Sequence, residues 1–349
     1  MRLRHKLAAG SLTVLLTASA MADDVVLVPN SNVKGAVGGR VRGTIDSESS
    51  TNVVVKLGAT TTTVPTGEIA SISYTGQPPV MVQAESRESA GSLAEAADLY
   101  KKAAAEAEKP FIKQAALFAQ ANAMAELALM DASKSPEAIT LLEAFVRAHA
   151  GGRHAVSAYD NLARLQLQKE DFAAVEKTLA AMSKLPQSAD RAAVLRAKVF
   201  AKQGNFDKAV AEYDQLIKNG PEGSFRQREA KLAKAEGLAG QKKYAEAEEL
   251  VRSVIKSSPP EDVQTQSAAY NTLGDCLRAA NKPKEALDAY LHTDILYSKD
   301  KEQHPRALAQ ISHLWRTLRR DDRADEVWQV LKKEYPNSQW LASRPETAQ

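Results

Sequence analysis

The stretch QGNFDKAVAEYDQLIKNGP (203–221) decides the fold, because three later segments repeat its arrangement. These segments are KKYAEAEELVRSVIKSSP (242–259), NKPKEALDAYLHTDILYS (281–298) and RDDRADEVWQVLKKEYP (320–336). Their alanines at 209, 247, 286 and 324 lie 38, 39 and 38 residues apart. A period of this length indicates one supersecondary unit that buries its apolar face only by stacking on its neighbours. The sequence therefore predicts a mainly α fold, an α-solenoid.

A repeated alanine and a larger residue four positions later explain how such units would pack. The repeated alanine lets two helices approach closely, and the larger side chain four residues later fills the space beside the next unit. These larger residues are Tyr213, Val251, Tyr290 and Trp328. A proline then stops the second helix in three of the four segments and turns the chain toward the next pair.

The first helix of these units resembles that of the tetratricopeptide repeat (TPR) family. The best match is YNTLGDCL, which carries Tyr270, Leu273, Gly274 and Leu277 at the family's aromatic, apolar and small positions. Fainter matches are Ala197 with Phe200 and Ala235 with Leu238, while the last repeat departs with Ile311, Ser312 and Trp315. The resemblance implies stacked helix pairs that bind rather than catalyse. Because the intervals exceed the family's basic period, we expect lengthened helices or turns.

Earlier segments fit the same scheme more loosely. Residues 159–186 and 118–148 each read as a further helix pair, and residues 92–110 read as the second helix of a first unit. We therefore predict a TPR-like α-solenoid of about six to seven helix pairs over residues 85–345, followed by a short tail at 346–349.

The first 22 residues are typical of a secretory signal peptide. Arg2, Arg4 and Lys6 give a positive start, residues 7–20 are largely apolar, and Ala20-Met21-Ala22 forms a small-x-small cleavage site. A transmembrane anchor is the alternative, but the apolar run is shorter than the roughly 20 residues that span a bilayer. We expect a mature chain that starts at Asp23, is periplasmic or extracellular, and has no integral membrane segment.

Charge and cysteine content restrict the function further. Removing the three basic residues of the leader from 46 Lys plus Arg leaves 43, which equals the 43 Asp plus Glu. This balance gives no electrostatic reason to expect nucleic acid as a partner. The single cysteine, Cys276, excludes an internal disulfide and lies far from the cleavage site, so a lipid anchor there is not expected.

Residues 23–77 have a different composition, rich in Val, Thr, Ile and Gly. The runs VVLV, GRVRGTI, NVVVKLG, TTTTVP and EIASISY are separated by turn residues and predict about five short strands. In GRVRGTI, Val41, Gly43 and Ile45 alternate with polar residues, which indicates one buried face. The order of the runs resembles that of SH3-like or Sm-like small β-barrels. Pro78 and Pro79 indicate a stiff linker over 78–84 before the helices.

We find no motif for catalysis, and we predict no enzyme activity, no cofactor and no metal site. The glycine-rich loop 35–40 lacks the Lys-Ser/Thr ending of a phosphate-binding loop and precedes a strand. The five histidines after the leader form no metal-binding spacing, so surface or capping roles are the default. Burial is the simpler explanation for Cys276 than reactivity.

A stack of helix pairs curves, and the first helix of each pair lines its concave side, which suits a peptide or protein partner. The candidate partner-binding residues on these first helices are Asp160, Arg164, Lys198, Lys202, Glu236, Asn271, Asp275 and Arg278. Val194 and His313 occupy comparable positions. The TPR resemblance also implies a possible carboxylate clamp made of Lys198, Lys202, Asn271 and Arg278, although these residues belong to non-adjacent repeats.

Three classes of function remain open. The leading one is a non-enzymatic scaffold or adaptor of the bacterial cell envelope that binds a protein or peptide in the concave groove. The alternative is a structural or self-associating subunit, in which Trp315, Trp328 and Trp340 form an interface instead of a cap. An enzyme or nucleic-acid binder built on the small barrel is disfavoured, because Tyr74 is the only aromatic residue in 23–79.

Overall fold

The fold is described from a computed structural model, for residues 22–29, 31–186, 188–336 and 338–343. The predicted signal peptide, except Ala22, and the predicted tail at 346–349 lie outside these residues. The described part consists of a small β-sheet followed by helices, which confirms a mainly α fold preceded by a small all-β region.

Five strands form the N-terminal sheet, as predicted, and every neighbouring pair is antiparallel. They are β1 (Asp23–Leu27), β2 (Arg40–Glu48), β3 (Asn52–Leu57), β4 (Thr60–Pro65) and β5 (Ile69–Ser73). The strand order is β4-β3-β2-β1-β5, so β4 and β5 are the outer strands. Closure of this sheet into an SH3-like barrel stays a prediction.

The alternation in β2 is as the sequence indicated. Val41 and Ile45 are buried, while Arg40, Arg42 and Thr44 face solvent. β1 lies between β2 and β5, and its first residue, Asp23, is itself buried. The Asp23 carboxylate accepts hydrogen bonds from the backbone N–H of Ile45 at 2.8 Å and of Thr75 at 2.7 Å. This carboxylate therefore joins β2 to the segment that leaves β5.

Fourteen α-helices follow in the described part of the chain, and they pair consecutively into seven units, at the upper end of the predicted number. Their bounds are α1 (Pro79–Ser89), α2 (Leu93–Glu106), α3 (Pro110–Met130), α4 (Ser135–Ala148), α5 (Ala155–Gln168), α6 (Phe172–Met182), α7 (Ala189–Lys202), α8 (Phe206–Asn219), α9 (Phe225–Gly240), α10 (Tyr244–Ser257), α11 (Val263–Ala279), α12 (Pro283–Leu296), α13 (Gln303–Thr317) and α14 (Asp321–Glu334). The odd-numbered helix is the first of each pair.

The turn between the two helices of a pair repeats the same backbone conformation. Five consecutive pairs have one residue with positive φ there, namely Glu170, Gly204, Lys242, Asn281 and Arg319. Only one of these five is glycine, although the left-handed region is costly for other residues. The common conformation thus belongs to the unit itself rather than to one residue type.

The repeated alanines are fully buried, as their proposed role requires. The helices of one pair approach closely at Gly274, where an added Cβ would lie 2.6 Å from Cζ of Tyr290. Gly240 faces the ring of Phe206 in the same way, with the nearest ring atom at 2.4 Å from an added Cβ. Glycines facing aromatic rings therefore set the distance within the α11–α12 pair and between α8 and α9 of consecutive pairs.

The sheet does not stand apart from the helices. Val25 and Val53 of the sheet share one apolar cluster with Met81 of α1, Tyr100 of α2 and Ile112 of α3. The linker predicted over 78–84 is therefore wrong, because α1 begins at Pro79 and buries Met81 and Ala84 in this cluster. Proline at the first position of a helix lacks only an N–H that would have no intrahelical partner there.

A second contact joins the sheet to the α4–α5 turn. The Tyr74 hydroxyl donates to Glu48 at 2.6 Å, and Arg153 lies 3.5 Å from the same carboxylate. The N–H of Ser50 also donates to the carbonyl of Gly151 at 2.9 Å. Both side chains of the Glu48–Arg153 pair are largely buried. The sheet is thus held at two places along the solenoid.

Candidate functional site

The first helices of the later pairs surround one cavity of about 610 Å³. We call it the groove cavity. Side chains from α5, α7, α9 and α11 line it, together with the residues at the start of α13. This is the concave surface that the repeat predicts. Its lining is strongly polar, and two ion-pair networks cross it from helix to helix.

The first network joins α5, α7 and α9. The Arg191 guanidinium donates to Asp160 on one side and to Glu229 at 2.8 Å on the other. Lys198 also donates to Glu229, at 3.0 Å. Burial alone would raise the pKa of Glu229, but the charges and hydrogen bonds of Lys198 and Arg191 outweigh burial and lower this pKa to about 2. Glu229 is therefore a paired carboxylate under all physiological conditions.

The second network joins α9, α11, α12 and α13. Arg306 donates to Asp275, which also accepts a hydrogen bond of 2.5 Å from the hydroxyl of Tyr290. Glu236 lies 3.7 Å from the same guanidinium, and Arg278 is 3.9 Å from Asp275. Burial opposes the charged form of Arg306, but Asp275 and Glu236 more than offset this and raise its pKa. Arg306 is thus held by carboxylates from the two preceding pairs, whereas Tyr290 and Arg278 contact Asp275 within one pair.

The structure separates the eight predicted groove residues into three groups. Arg164, Lys198 and Glu236 line the groove cavity. Asp160 and Asp275 do not line it, but they form ion pairs with Arg191 and Arg306, which do. The remaining three, Asn271, Lys202 and Arg278, do not line it. Whether any of the eight binds a partner stays a prediction.

The implied carboxylate clamp is not assembled. Lys198 is bound to Glu229, and Asn271 is buried and donates to the backbone carbonyl of Gln303 at 2.9 Å. Lys202 and Arg278 are exposed but lie outside the cavity lining. Val194 is also not a groove position, because it is only 3% exposed and packs in the core. The helical register at that point places its neighbour Arg191 toward the groove instead.

Sequence reasoning missed Arg191, Glu229 and Arg306, yet a signal was present. The Asp160–Arg191, Lys198–Glu229 and Asp275–Arg306 pairs are all separated by 31 residues. This distance equals the 38-residue repeat less seven residues, which is about two helical turns. Opposite charges at this spacing on consecutive first helices would have identified the networks.

The solenoid curls until its last repeat meets α5, in the third pair, beside the groove cavity. Arg164 of α5 donates to Glu302, just before α13, at 3.1 Å, across a sequence separation of 138 residues. Gln168 donates to Gln339, in the short 3-10 helix Gln339–Ser343, at 2.6 Å. A second, more apolar cavity of about 480 Å³ lies at this junction, with Leu127, Met130, Pro305, Tyr335 and Trp340 in its wall.

No catalytic constellation emerges among the residues described. Burial raises the pKa of the Cys276 thiol to about 12, so the cysteine is a buried core residue as expected. His304 is buried rather than exposed or capping, and it bridges the Tyr335 hydroxyl and Asp294 at 2.8 Å each.

Within the described ranges, no three His, Cys, Asp or Glu residues are grouped to hold a metal ion. None of the described helices is long and apolar enough to span a bilayer.

Comparison with known proteins supports the repeat assignment. The tetratricopeptide repeat family model matches three overlapping stretches, residues 161–224, 194–262 and 232–294. The matched residues run from α5 to α12 and include most of the groove wall, and the fold is a TPR-like solenoid. A search of curated proteins finds no match to the sequence.

Several solved structures share this fold at low sequence identity. A tetratricopeptide repeat protein from Parabacteroides merdae is 15% identical, with a TM-score of 0.52 over 73% of this chain and 91% of its own. The apo quorum sensor NprR from B. thuringiensis is 12% identical, with a TM-score of 0.54 over 73% and 74%. A Rap protein complexed with Competence and Sporulation Factor is 12% identical, with a TM-score of 0.50 over 76% and 77%.

Proposed function

We propose that this chain is a non-enzymatic interaction scaffold of the bacterial cell envelope that binds a protein or peptide partner in the groove cavity. One observation carries the proposal. The cavity is built from the first helices of consecutive repeats, so it presents a continuous concave surface with side chains from at least four units. An extended surface of this kind suits a chain segment better than a small metabolite.

Two further observations support the proposal. The solved Rap structure with a TPR-like fold is a complex with Competence and Sporulation Factor, which shows that such a solenoid can hold a partner. The envelope location rests on the signal-peptide pattern of residues 1–22. N-terminal sequencing of the chain from a fractionated cell tests that part, and a mature N-terminus at Asp23 in the periplasmic fraction is the expected result.

The binding surface is tested by photo-crosslinking in intact envelopes. A photoreactive amino acid at Gln264, which lines the groove cavity, is expected to capture one dominant partner. The matched control carries the same group at Lys218, an exposed residue of the second helix α8 outside the cavity. Equal capture from both positions, or capture from Lys218 alone, would place the partner elsewhere and reject the groove as the binding surface.

The self-associating alternative receives no specific support from the tryptophans. Trp328 is 3% exposed, Trp315 packs against the core of the α9–α13 repeats, and Trp340 packs against the last apolar cluster. These positions agree with a cap over the final repeat. Self-association stays a prediction, and recovery of only the bait in the crosslinking experiment would favour it.

A further inference from the structure

The cations of the groove cavity are already neutralised by the protein. Among the described residues, four cationic side chains line the cavity, namely Arg164, Arg191, Lys198 and Arg306. Each lies within ion-pair distance of a carboxylate of this chain. An anionic ligand would have to displace one of these carboxylates, and the displaced group would then lose its own partner.

Glu236 is in the opposite situation. Its side chain is 48% exposed and borders the cavity, and its nearest cation in the described structure is Arg306 at 3.7 Å. That guanidinium already donates to Asp275, so Glu236 receives only a weak contact. Desolvation by the surrounding walls raises the pKa of Glu236, and Asp275 adds to this effect, while Arg306 and Lys198 oppose it without cancelling it. The carboxylate therefore shares its nearest cation with Asp275 and has no cation of its own among the described residues.

Asp300 is a second carboxylate of this kind in the cavity wall. It accepts hydrogen bonds from the N–H groups of Glu302 and Gln303 at 3.0 Å and from the Ser267 hydroxyl at 2.6 Å. All three donors are neutral, and no cation lies within ion-pair distance of Asp300 in the part of the chain that is described. Glu236 shares its nearest cation with Asp275, and Asp300 has none among these residues. Six carboxylates of the wall and its ion-pair networks therefore face four lining cations; the carboxylates are Asp160, Glu229, Glu236, Asp275, Asp300 and Glu302.

Apolar side chains stand beside these charges. Phe225 is 43% exposed although it is a large aromatic residue, and Val263, Leu232 and Ala268 also line the cavity. Aromatic faces attract cations as well as apolar groups. A long basic side chain combines an apolar stem with a cationic end. It therefore fits a wall that contains both apolar side chains and the Glu236 carboxylate.

From this charge balance we propose that the groove cavity recognises a basic side chain, Lys or Arg, on a partner peptide segment. Glu236 is the principal contact and Asp300 the second, while the apolar residues receive the stem and its neighbours. The inference rests on the groove being the partner-binding surface, and it adds the chemistry by which that surface selects its partner.

The test uses the full mature chain and four labelled nine-residue peptides with a common Ala/Ser/Leu background and a central Arg, Lys, Gln or Glu. Fluorescence anisotropy is expected to show about tenfold tighter binding of the Arg and Lys peptides than of the Gln peptide, with Glu the weakest. Glu236→Gln should remove most of this preference. The matched control, Glu246→Gln, replaces an exposed carboxylate of α10 outside the cavity and should leave the preference unchanged.

Each other outcome contradicts the proposal. Equal binding of the Arg and Gln peptides, tighter binding of the Glu peptide, or no binding of any peptide would each overturn it. A thermal melt of Glu236→Gln that matches the wild-type melt shows that the variant is folded. Retained crosslinking from Gln264 without a charge preference would reject only the basic-side-chain inference, whereas loss of crosslinking as well would also reject the groove as a binding surface.

Discussion

The two halves of the solenoid use the same helix pair in different ways. At the N-terminal end, α1, α2 and α3 share one apolar cluster with the sheet, and residues such as Tyr100 and Ile112 are buried in it. From α5 to α13, the first helices instead turn charged side chains toward the groove cavity. The comparison shows that one repeating unit packs against the sheet where apolar residues cover it and lines a polar groove where charged residues do.

The largest effect is expected from the shared core of the N-terminal half. Ile112→Ala removes a fully buried side chain and should lower the free energy of unfolding by about 2–5 kcal/mol. Ile295→Ala truncates a side chain that is 70% exposed and should change it by less than about 0.5 kcal/mol. Urea unfolding of both variants measures the difference. Similar small losses in the two variants would show that the sheet and helices do not share a core.

A smaller effect is expected at the tight helix pair of the C-terminal half. Gly274→Ala would place Cβ 2.6 Å from the Tyr290 ring, and we expect a loss of about 1–3 kcal/mol in unfolding free energy. Gly67→Ala is the control, because its Cβ would meet no heavy atom within 4 Å. Thermal melts of both variants test this. An unchanged melting temperature for Gly274→Ala would mean that the two helices can separate without cost.

The charged half should respond to pH through Glu229. Its pKa lies near 2 in the folded chain and near 4.5 unperturbed, so its ionised form stabilises the fold fully above pH 4.5. That stabilisation should fall as the pH drops from about 4.5 toward 2. Glu229→Gln should be less stable than wild type at pH 6, and the difference should shrink at pH 3. Urea unfolding at both pH values checks the sign, and a constant difference would show that Glu229 titrates normally.

The smallest effect is expected at the repeated turns. Lys242 has φ of 64°, and Lys242→Gly should stabilise the chain by about 0.5–1 kcal/mol because glycine adopts this conformation without steric cost. Glu246→Gly, in the adjoining helix, should instead destabilise by about 1 kcal/mol. Differential scanning calorimetry can compare them. Destabilisation by Lys242→Gly would mean that the lysine side chain contributes contacts that outweigh its backbone strain.

The fold was largely predictable because its signal is periodic. The alanine interval, the small residue at Gly274 and the alternation in β2 each report a local packing requirement that the structure meets. The linker at 78–84 was misjudged because Pro79 was interpreted as a chain breaker, although proline also starts helices. The sequence does not show that Met81 turns toward the sheet, since that contact depends on tertiary placement.

The groove was less predictable than the fold. The side of each first helix that faces the cavity follows from its rotation. The sequence indicates Val194 as a groove position, but Val194 is buried, and Arg191, three residues earlier, lines the cavity. The position of one charged residue also does not identify its ion-pair partner, which lies on the next repeat. Comparison of consecutive repeats at a separation of 31 residues recovers three of these pairs. That Glu236 shares Arg306 with Asp275 is visible only in the structure.

The contact between α5 and the start of α13 should affect how the end of the solenoid unwinds. An open stack of repeats frays from both ends, because each terminal unit has only one neighbour. Here the Arg164–Glu302 and Gln168–Gln339 contacts give the last repeat a second neighbour, so local unwinding of the last repeat is coupled to α5. Exposed polar contacts of this kind contribute only about 1 kcal/mol or less each. The two contacts therefore add little to the free energy of unfolding, and we expect the last repeat to separate from α5 more readily than stacked repeats separate from each other.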